Sequence, residues 1–254
     1  MKKHVFTFCM CLFSLWSFGQ IIVMDIVQVK EGKEADYEAV EAFVAPIMGE
    51  AVANGDKMGW YIFKRMKGGD LSEIEDKGVG DYMIINVYKD RAQMEANTMT
   101  TFSSYARKVY KGKMTNRSLD KKMSTLMDAR KDTRSYILEN IYYTKPNRLQ
   151  VGDEIGVFAA QQLNEDYEDF EMHYYRPMWE EMILTGAHKA WNFNRIIERS
   201  DNAYQNLTHI IFNAVGTGEY KFKEDFISRK LGEMGTASRK GFDTAQMKLI
   251  QIRE

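Results

Sequence analysis

The chain contains the same fifteen-residue pattern twice. Residues 46–60 read PIMGEAVANGDKMGW and residues 177–191 read PMWEEMILTGAHKAW. The two windows align without a gap and share four residues, which are the pairs Pro46/Pro177, Glu50/Glu181, Gly55/Gly186 and Trp60/Trp191. Because the whole chain has only three prolines and four tryptophans, a pair of each in register indicates an internal duplication.

Each copy of the pattern predicts a helix followed by a strand. Apolar residues recur at three- and four-residue spacing ahead of Gly55 and Gly186, as on one face of a helix. A glycine that can take positive φ is typical of a helix end. Aromatic and branched residues then predict strands at 60–66 and 191–197. Since Pro46 falls inside the helical pattern, we expect a kink or a break into two segments there.

The remaining elements repeat in the same order. Further strands are predicted in the first half at 21–29, 82–88 and 135–144, and in the second at 154–162, 208–215 and 245–253. Further helices are predicted at 90–110, 117–131 and 221–240. The order strand, helix, strand, strand, helix, strand is the ferredoxin-like pattern, written twice. The sequence therefore predicts an α+β protein with one repeat at 20–144, a linker at 145–153 and a second repeat at 154–254.

Each such repeat has helices on only one face of its sheet, so the bare face must be buried elsewhere. The simplest solution is to pack the two bare faces together as an intramolecular α/β barrel. With its Pro…Gly…Trp signature and this element order, the sequence resembles the dimeric α/β-barrel superfamily in a fused, two-repeat form, and is similar to NIPSNAP-like proteins in its tandem layout. The superfamily includes cofactor-free monooxygenases, haem-binding and haem-degrading enzymes, and domains without known activity. The resemblance thus implies a fold without choosing a function.

The first nineteen residues predict a secretory signal peptide. Two lysines precede an apolar run from Val5 to Phe18, and Gly19 is a small residue suited to cleavage. The apolar run is too short to span a bilayer, so we expect no membrane span. Both cysteines of the chain lie within this leader. An exported, periplasmic or secreted protein without cysteines is therefore expected.

Charge gives no support for a nucleic-acid partner. Loss of the leader, with its two lysines, takes the formal net charge from −1 to −3. A near-neutral chain of this kind lacks the basic surface that nucleic acids require. The sequence also has no histidine or cysteine spacing typical of a metal site, and no metal is expected.

Side-chain alternation predicts where a ligand would bind. The third strands, aligned on Asn86 and Asn213, each have one wholly apolar face, which we assign to the helix side. The mixed faces would then point into the barrel, as would the mixed faces of the second strands. The predicted ligand-binding residues of the interior are Tyr61, Arg65, Tyr82, Asn86, Asn192, Asn194, His209 and Asn213. Such a set suggests a ligand-filled cavity, or else side chains bonded to one another and to trapped water.

His209 is the candidate catalytic residue. The chain after the leader has three histidines, and we interpret His173 and His188 as solvated, in a helix and a turn. His209 lies on a strand, where a neutral imidazole could be a general base or a haem ligand, or simply a hydrogen-bonded core residue. Haem is therefore the one cofactor that the sequence raises.

Two hypotheses of function stay open. In the first, the barrel binds a small molecule, with or without an oxidoreductase activity of the monooxygenase kind. In the second, the barrel is filled and the protein is a structural or protein-interaction domain. A continuous cavity would favour the first hypothesis, and a closed interior with an exposed apolar patch would favour the second.

Overall fold

The architecture is that of two ferredoxin-like repeats joined into one barrel. A computed structural model of the chain describes residues 19–66, 80–144, 148–222, 225–242 and 244–254. The predicted leader lies outside these residues, except for Gly19, and so do the first three residues of the predicted linker.

The first repeat follows the predicted order. Its strands are β1 (Ile21–Val29), β2 (Gly59–Arg65), β3 (Tyr82–Tyr88) and β4 (Arg130–Tyr143), and its helices are α1 (Glu34–Ala53), α2 (Arg91–Ala96), α3 (Met99–Val109) and α4 (Asn116–Ser124). The helix predicted at 90–110 is thus two helices. Thr98 separates them because its hydroxyl accepts a hydrogen bond from the N–H of Thr101 and caps α3.

The second repeat has the same plan with a shorter second helical segment. Its strands are β5 (Glu154–Gln162), β6 (His188–Arg199), β7 (His209–Val215), β8 (Arg239–Gly241) and β9 (Ala245–Arg253), and its helices are α5 (Tyr167–Phe170), α6 (Arg176–Leu184) and α7 (Phe226–Ala237). His188, which we expected in a turn, is the first residue of β6. Among the described residues of the helix predicted at 221–240, α7 is helical and is followed by the short strand β8. Residues 223 and 224 of that prediction lie outside the described residues.

The helix geometry around the proline differs between the two copies of the repeated helix. Helix α1 runs without a break through Pro46, so the expected break is absent there. In the second copy, a π-helical turn over Glu171–Tyr175 joins α5 to α6 immediately before Pro177. Both helices end at a glycine with a φ of 76°, Gly55 and Gly186, as the signature predicts.

Eight of the strands form a closed antiparallel barrel. Within the first repeat the order is β4-β1-β3-β2, and within the second it is β9-β5-β7-β6. The edges of the two sheets then join, β2 to β9 and β4 to β6. The predicted fold class is confirmed, and closure leaves neither repeat with an unpaired inner sheet edge.

The described residues form one apolar core inside the barrel and one beneath the helices of each repeat. The barrel core includes Met24, Met83 and Leu138 of the first repeat and Ile210 and Leu249 of the second, all nearly inaccessible to solvent. The helix-side cores surround Trp60 and Trp191, respectively. The repeated tryptophan therefore packs each helix onto its sheet, which explains its place in the signature.

Candidate functional site

The faces of the second strands are as the sequence predicts. Trp60 and Ile62 of β2 lie in the helix-side core, while Tyr61 and Phe63 face the barrel. In β6, Trp191 and Phe193 lie beneath the helices. Asn192 and Asn194 alternate with them and therefore lie on the barrel face.

The prediction for the third strands is wrong, because their two faces are exchanged. The apolar faces, represented by Met83 and Ile210, belong to the barrel core. The mixed faces lie beneath the helices, as Tyr82 and Ile84 do in the first repeat and Ile211 does in the second. Four of the eight predicted site residues therefore do not face the barrel interior; they are Tyr82, Asn86, His209 and Asn213.

Strand pairing gives the physical reason. Residues directly opposite each other on neighbouring strands share a face of the sheet. Asn86 lies opposite Trp60, and Asn213 lies opposite Trp191. Because the tryptophans are beneath the helices, the asparagines must be there too. An error of one position in a strand exchanges its faces completely.

The barrel does contain a cavity, with a volume of about 310 Å³. This volume is at the small end of the range of about 300–1,000 Å³ found for ligand pockets. Its lining runs from fully buried Met83 to exposed Met58, Tyr143 and Glu254, so one end of the barrel opens to solvent. That end is formed where β1, β2, β5 and β6 begin.

The cavity walls are mainly apolar and aromatic. Aromatic lining residues are Tyr61, Phe63, Tyr143, Trp191 and Phe212; aliphatic and sulfur-containing ones are Ile22, Met58, Met83, Ile85, Val87, Leu149, Ile155, Ala190 and Ala214; polar ones are Gln20, Thr144, Asn192 and Glu254. Of the eight predicted residues, only Tyr61 and Asn192 are in this lining. Arg65 lies further along β2, with its guanidinium 3.6 Å from the carboxylate of Asp81.

A tyrosine–glutamate pair is the most polar feature of the cavity. The Tyr61 hydroxyl donates a hydrogen bond of 2.7 Å to Oε1 of Glu254. Burial, together with this bond to a carboxylate, raises the pKa of the Tyr61 hydroxyl. Tyr61 is therefore protonated at neutral pH and holds the carboxylate at the cavity edge.

Glu254 was missed by the sequence analysis. Pairing of β2 with β9 places Tyr61 opposite Ile252, two residues before Glu254. The two partners are 193 residues apart in sequence, and no local pattern predicts such a contact.

An asparagine cluster closes the wall between β4 and β6. The side-chain amide of Asn140 donates to Oδ1 of Asn192 at 3.0 Å and to Oδ1 of Asn194 at 2.9 Å. Asn194 is fully buried and donates in turn to the carbonyl of Ile210. Asn194 is thus a barrel-facing residue with a structural hydrogen-bonding role, and it does not line the cavity.

His209 belongs to a separate cluster beneath the helices. Its Nε2 lies 3.0 Å from Oε1 of Glu168, and its Nδ1 lies 2.9 Å from the hydroxyl of Thr208. Arg195 binds both carboxylate oxygens of Glu168, at 2.7 and 2.5 Å. Burial lowers the pKa of His209, although Glu168 opposes this effect. The ring is therefore a neutral, hydrogen-bonded core imidazole at neutral pH.

This placement does not fit His209 as a haem ligand. Both ring nitrogens have hydrogen-bond partners, and the ring packs between Tyr167 and Phe193 on the helix side of the sheet. The cavity lies on the other side of that sheet, and no histidine is among its described lining residues.

Glu168, also missed from the sequence, has a counterpart in the first repeat. Glu38 accepts hydrogen bonds from Lys64 at 2.6 Å and from the Tyr82 hydroxyl at 2.7 Å. Lys64 corresponds to Arg195, and Tyr82 to His209. The signal was present, because Glu38 and Glu168 each follow a tyrosine at the start of the repeated helix. The cluster is therefore part of the duplicated scaffold.

A buried lysine lies at the end of the first repeated helix. Nζ of Lys57 donates to Oδ1 of Asn86 at 2.7 Å and lies 5.4 Å from the centre of the Tyr88 ring. Burial lowers the pKa of this lysine to about 8. Asn86 therefore accepts a hydrogen bond from a buried lysine beneath a helix. It was predicted to bind a ligand inside the barrel, and it does not face that interior.

The described ranges contain neither a metal-binding cluster nor a membrane-spanning helix. No group of three histidine, cysteine, aspartate or glutamate side chains in them could hold a metal ion. Over the same ranges, no helix combines the length and the apolar character needed to cross a membrane.

Comparison with known proteins relates the chain to others by fold. No protein family matches its sequence, and no curated protein does. A candidate monooxygenase from Lactobacillus acidophilus NCFM superposes with a TM-score of 0.57 at 11% identity, over 92% of this chain and 96% of that one. A candidate monooxygenase from Fusobacterium nucleatum subsp. nucleatum ATCC 25586 gives 0.55 at 11% identity, over 94% and 96%.

A candidate chlorite dismutase superposes less well, with a TM-score of 0.43 at 11% identity over 92% of this chain and 96% of that chain. At these identities the likeness shows the fold alone. The fold and the cavity together define an internally duplicated ferredoxin-like α/β barrel with an apolar pocket that opens at one end.

Proposed function

We propose that this protein binds a small molecule with an apolar body in the barrel cavity and acts on it as an oxidoreductase. The observation that carries the proposal is the open cavity of about 310 Å³ with aromatic walls and one tyrosine–glutamate pair. Apolar walls with few polar groups are typical of small-molecule sites. A closed interior, which would have favoured a purely structural barrel, is not what the described residues form.

The two candidate monooxygenases of the same fold support oxidation as the reaction. In such a reaction with dioxygen, a substrate CH₂ group would lose two hydrogens and gain one oxygen as a carbonyl, and the second oxygen would leave as water. The walls would contribute by holding the molecule and excluding bulk water. Tyr61 would orient a polar group of the substrate through its hydroxyl.

Filling the cavity tests the binding step. In Ala190→Phe, a ring is added to a lining residue, so binding of a neutral probe such as 1-naphthalenemethanol should fall at least tenfold by isothermal titration calorimetry. Ala42→Phe makes the same change at an exposed position of α1 and should bind as the unchanged protein does. Equal binding in both variants would place the probe outside the barrel.

Dioxygen consumption tests the chemical step. An oxygen electrode should record uptake when the purified protein meets oxidisable aromatic compounds, and Ala190→Phe should reduce that uptake. If compounds bind in the cavity but none of a broad panel of aromatic compounds causes dioxygen uptake, the protein is a binding protein and the proposed oxidoreductase activity is wrong.

We further propose that the protein is exported, with cleavage after Gly19. The support is the sequence pattern of the first nineteen residues. N-terminal sequencing of the protein recovered outside the cytoplasm should begin at Gln20. Recovery of the chain only inside the cytoplasm, with its leader intact, would contradict export.

Protein interaction is the second candidate function. It is favoured by the apolar surface of α7, where Phe226, Ile227 and Met234 are more than half exposed. Light scattering during size-exclusion chromatography should reveal self-association if this surface binds another copy. Replacing Ile227 with lysine should then restore the monomer.

A further inference from the structure

The cavity has a marked asymmetry of charge. Among its described lining residues, Glu254 is the only one that carries a formal charge, and no lysine, arginine or histidine is in the lining. The walls therefore have no group that would neutralise an acidic ligand. A carboxylate or phosphate on the ligand would be repelled by Glu254.

The carboxylate of Glu254 is held in place but keeps bonding capacity. Its Oε1 accepts the 2.7 Å hydrogen bond from Tyr61, and a carboxylate has about four acceptor positions in all. The remaining positions can accept from a donor on the ligand. Because Glu254 is at the exposed end of the cavity, that donor would be at the end of the ligand that faces solvent.

Aromatic rings lie beside Glu254 and further along the cavity wall. Tyr61, which bonds Glu254, is stacked on Phe63 with 6.4 Å between ring centres, and Tyr143 also lines the cavity. The faces of aromatic rings carry partial negative charge and attract cations. A carboxylate beside aromatic faces is therefore better suited to a positively charged group than to a neutral hydroxyl.

We propose that the ligand of the barrel is a cationic amine with an apolar body, bound with its ammonium group at Glu254 and its body among the aromatic walls. This inference rests on the proposed function, since it names the class of molecule that the cavity takes. The amine contributes the charge and the donors, and the apolar body contributes the buried area.

Three probes with one naphthalene ring test the charge preference. They are 1-naphthylmethylamine, which is a cation at pH 7, 1-naphthalenemethanol, which is neutral, and 1-naphthylacetate, which is an anion. By calorimetry at low salt, we expect the cation to bind about fivefold more tightly than the neutral probe, as one partly exposed ion pair allows. The anion should bind most weakly, and added salt should reduce these differences.

Glu254→Gln removes the charge and keeps an acceptor for Tyr61. In this variant the cation should lose its advantage, while the neutral probe should bind as before. Glu233→Gln removes a charge from α7, where Glu233 pairs with Lys230, and should leave all three affinities unchanged. Tyr61→Phe, which releases the carboxylate, should reduce the preference without abolishing it.

The outcomes separate this inference from the proposed function. If the neutral probe binds, is excluded by Ala190→Phe and binds as tightly as the cation, the amine preference is wrong and the cavity remains a site. A preference that survives in Glu254→Gln would also overturn the inference. If none of the three probes binds to the folded protein, both proposals fail.

Discussion

At the scale of single residues, a polar side chain takes its role from the residue opposite it on the next strand. Asn86 and Asn213 lie opposite tryptophans and are beneath the helices, whereas Asn194 lies on the barrel face. The same residue type thus supports a buried lysine in one place and a strand junction in another. The sequence pattern shows which strands carry polar residues. The pairing of neighbouring strands decides which side of the sheet those residues occupy.

Loss of the Asn194 side chain should destabilise the protein. In Asn194→Ala, the amide of Asn140 and the carbonyl of Ile210 each lose a buried partner. We expect a loss of about 1–3 kcal/mol in the free energy of unfolding, measured with urea. Asn206→Ala, at an exposed loop position, is the matched control and should have little effect. Equal stability of the two variants would contradict a structural role for the asparagine cluster.

The imidazoles of His209, which is buried, and of His188, which is partly buried, should make stability depend on pH. Burial lowers the pKa of His209 and of His188 below 6.5 in the folded state, so the unfolded chain binds protons more readily. Stability should be full above about pH 6.5 and fall as the pH decreases below it. Thermal unfolding of His209→Gln between pH 7.5 and 5.5 should show a smaller decrease than the unchanged protein. An identical decrease would mean that the pKa of His209 is the same in the folded and unfolded states.

At the scale of elements, the second repeated helix contains one extra residue. Tyr37 and Tyr167 are 130 residues apart, as are Glu41 and Glu171, but Pro46 and Pro177 are 131 apart. The π-helical turn over 171–175 absorbs this residue. Both ends of the helix therefore keep the side-chain positions that they have in the first repeat.

Deleting one residue from each helix tests this explanation. Removal of His173, whose side chain is exposed, should convert the π turn into ordinary α-helix and change stability by no more than about 1 kcal/mol. Removal of exposed Ala42 from α1 should rotate the buried face by about 100° and destabilise by several kcal/mol. Urea unfolding compares the two deletions. If the His173 deletion lowers the free energy of unfolding more than the Ala42 deletion does, the π turn has a structural role beyond absorbing the extra residue.

At the scale of the whole molecule, closure of the barrel joins the two halves. The pairs β2–β9 and β4–β6 bring together strands from different repeats, and the barrel core draws residues from both. A single repeat would expose that apolar face and two strand edges to water. The cavity also exists only in the joined molecule, because both repeats contribute lining residues.

Separate halves should therefore not be stable alone. Expressed individually, residues 20–144 and 154–254 should aggregate or dimerise, whereas co-expressed halves should purify together as one complex. Size-exclusion chromatography with light scattering gives the composition of each product. A stable, folded monomer of either half would show that the helix-side core alone is sufficient.

Much of the fold was predictable because it depends on local patterns. Strands β1, β3, β5 and β9 begin and end at the predicted residues, since alternation and branched or aromatic residues mark them. The break predicted at Pro46 is absent, since α1 continues through the proline from Glu34 to Ala53. The site was less predictable. Tyr61 and Asn192 line the cavity, but Glu254 reaches it only through pairing of the first and last parts of the chain.

The sequence by itself determined the duplication, the order of elements and the need for each sheet to cover a bare face, because periodicity and rare residues act over short distances. Only the tertiary structure decided which face of each third strand is inside the barrel. Cross-strand register sets that choice, and a shift of one residue reverses it. The same long-range pairing placed Glu254 at the mouth of the cavity, where it is the one charged side chain among the described lining residues.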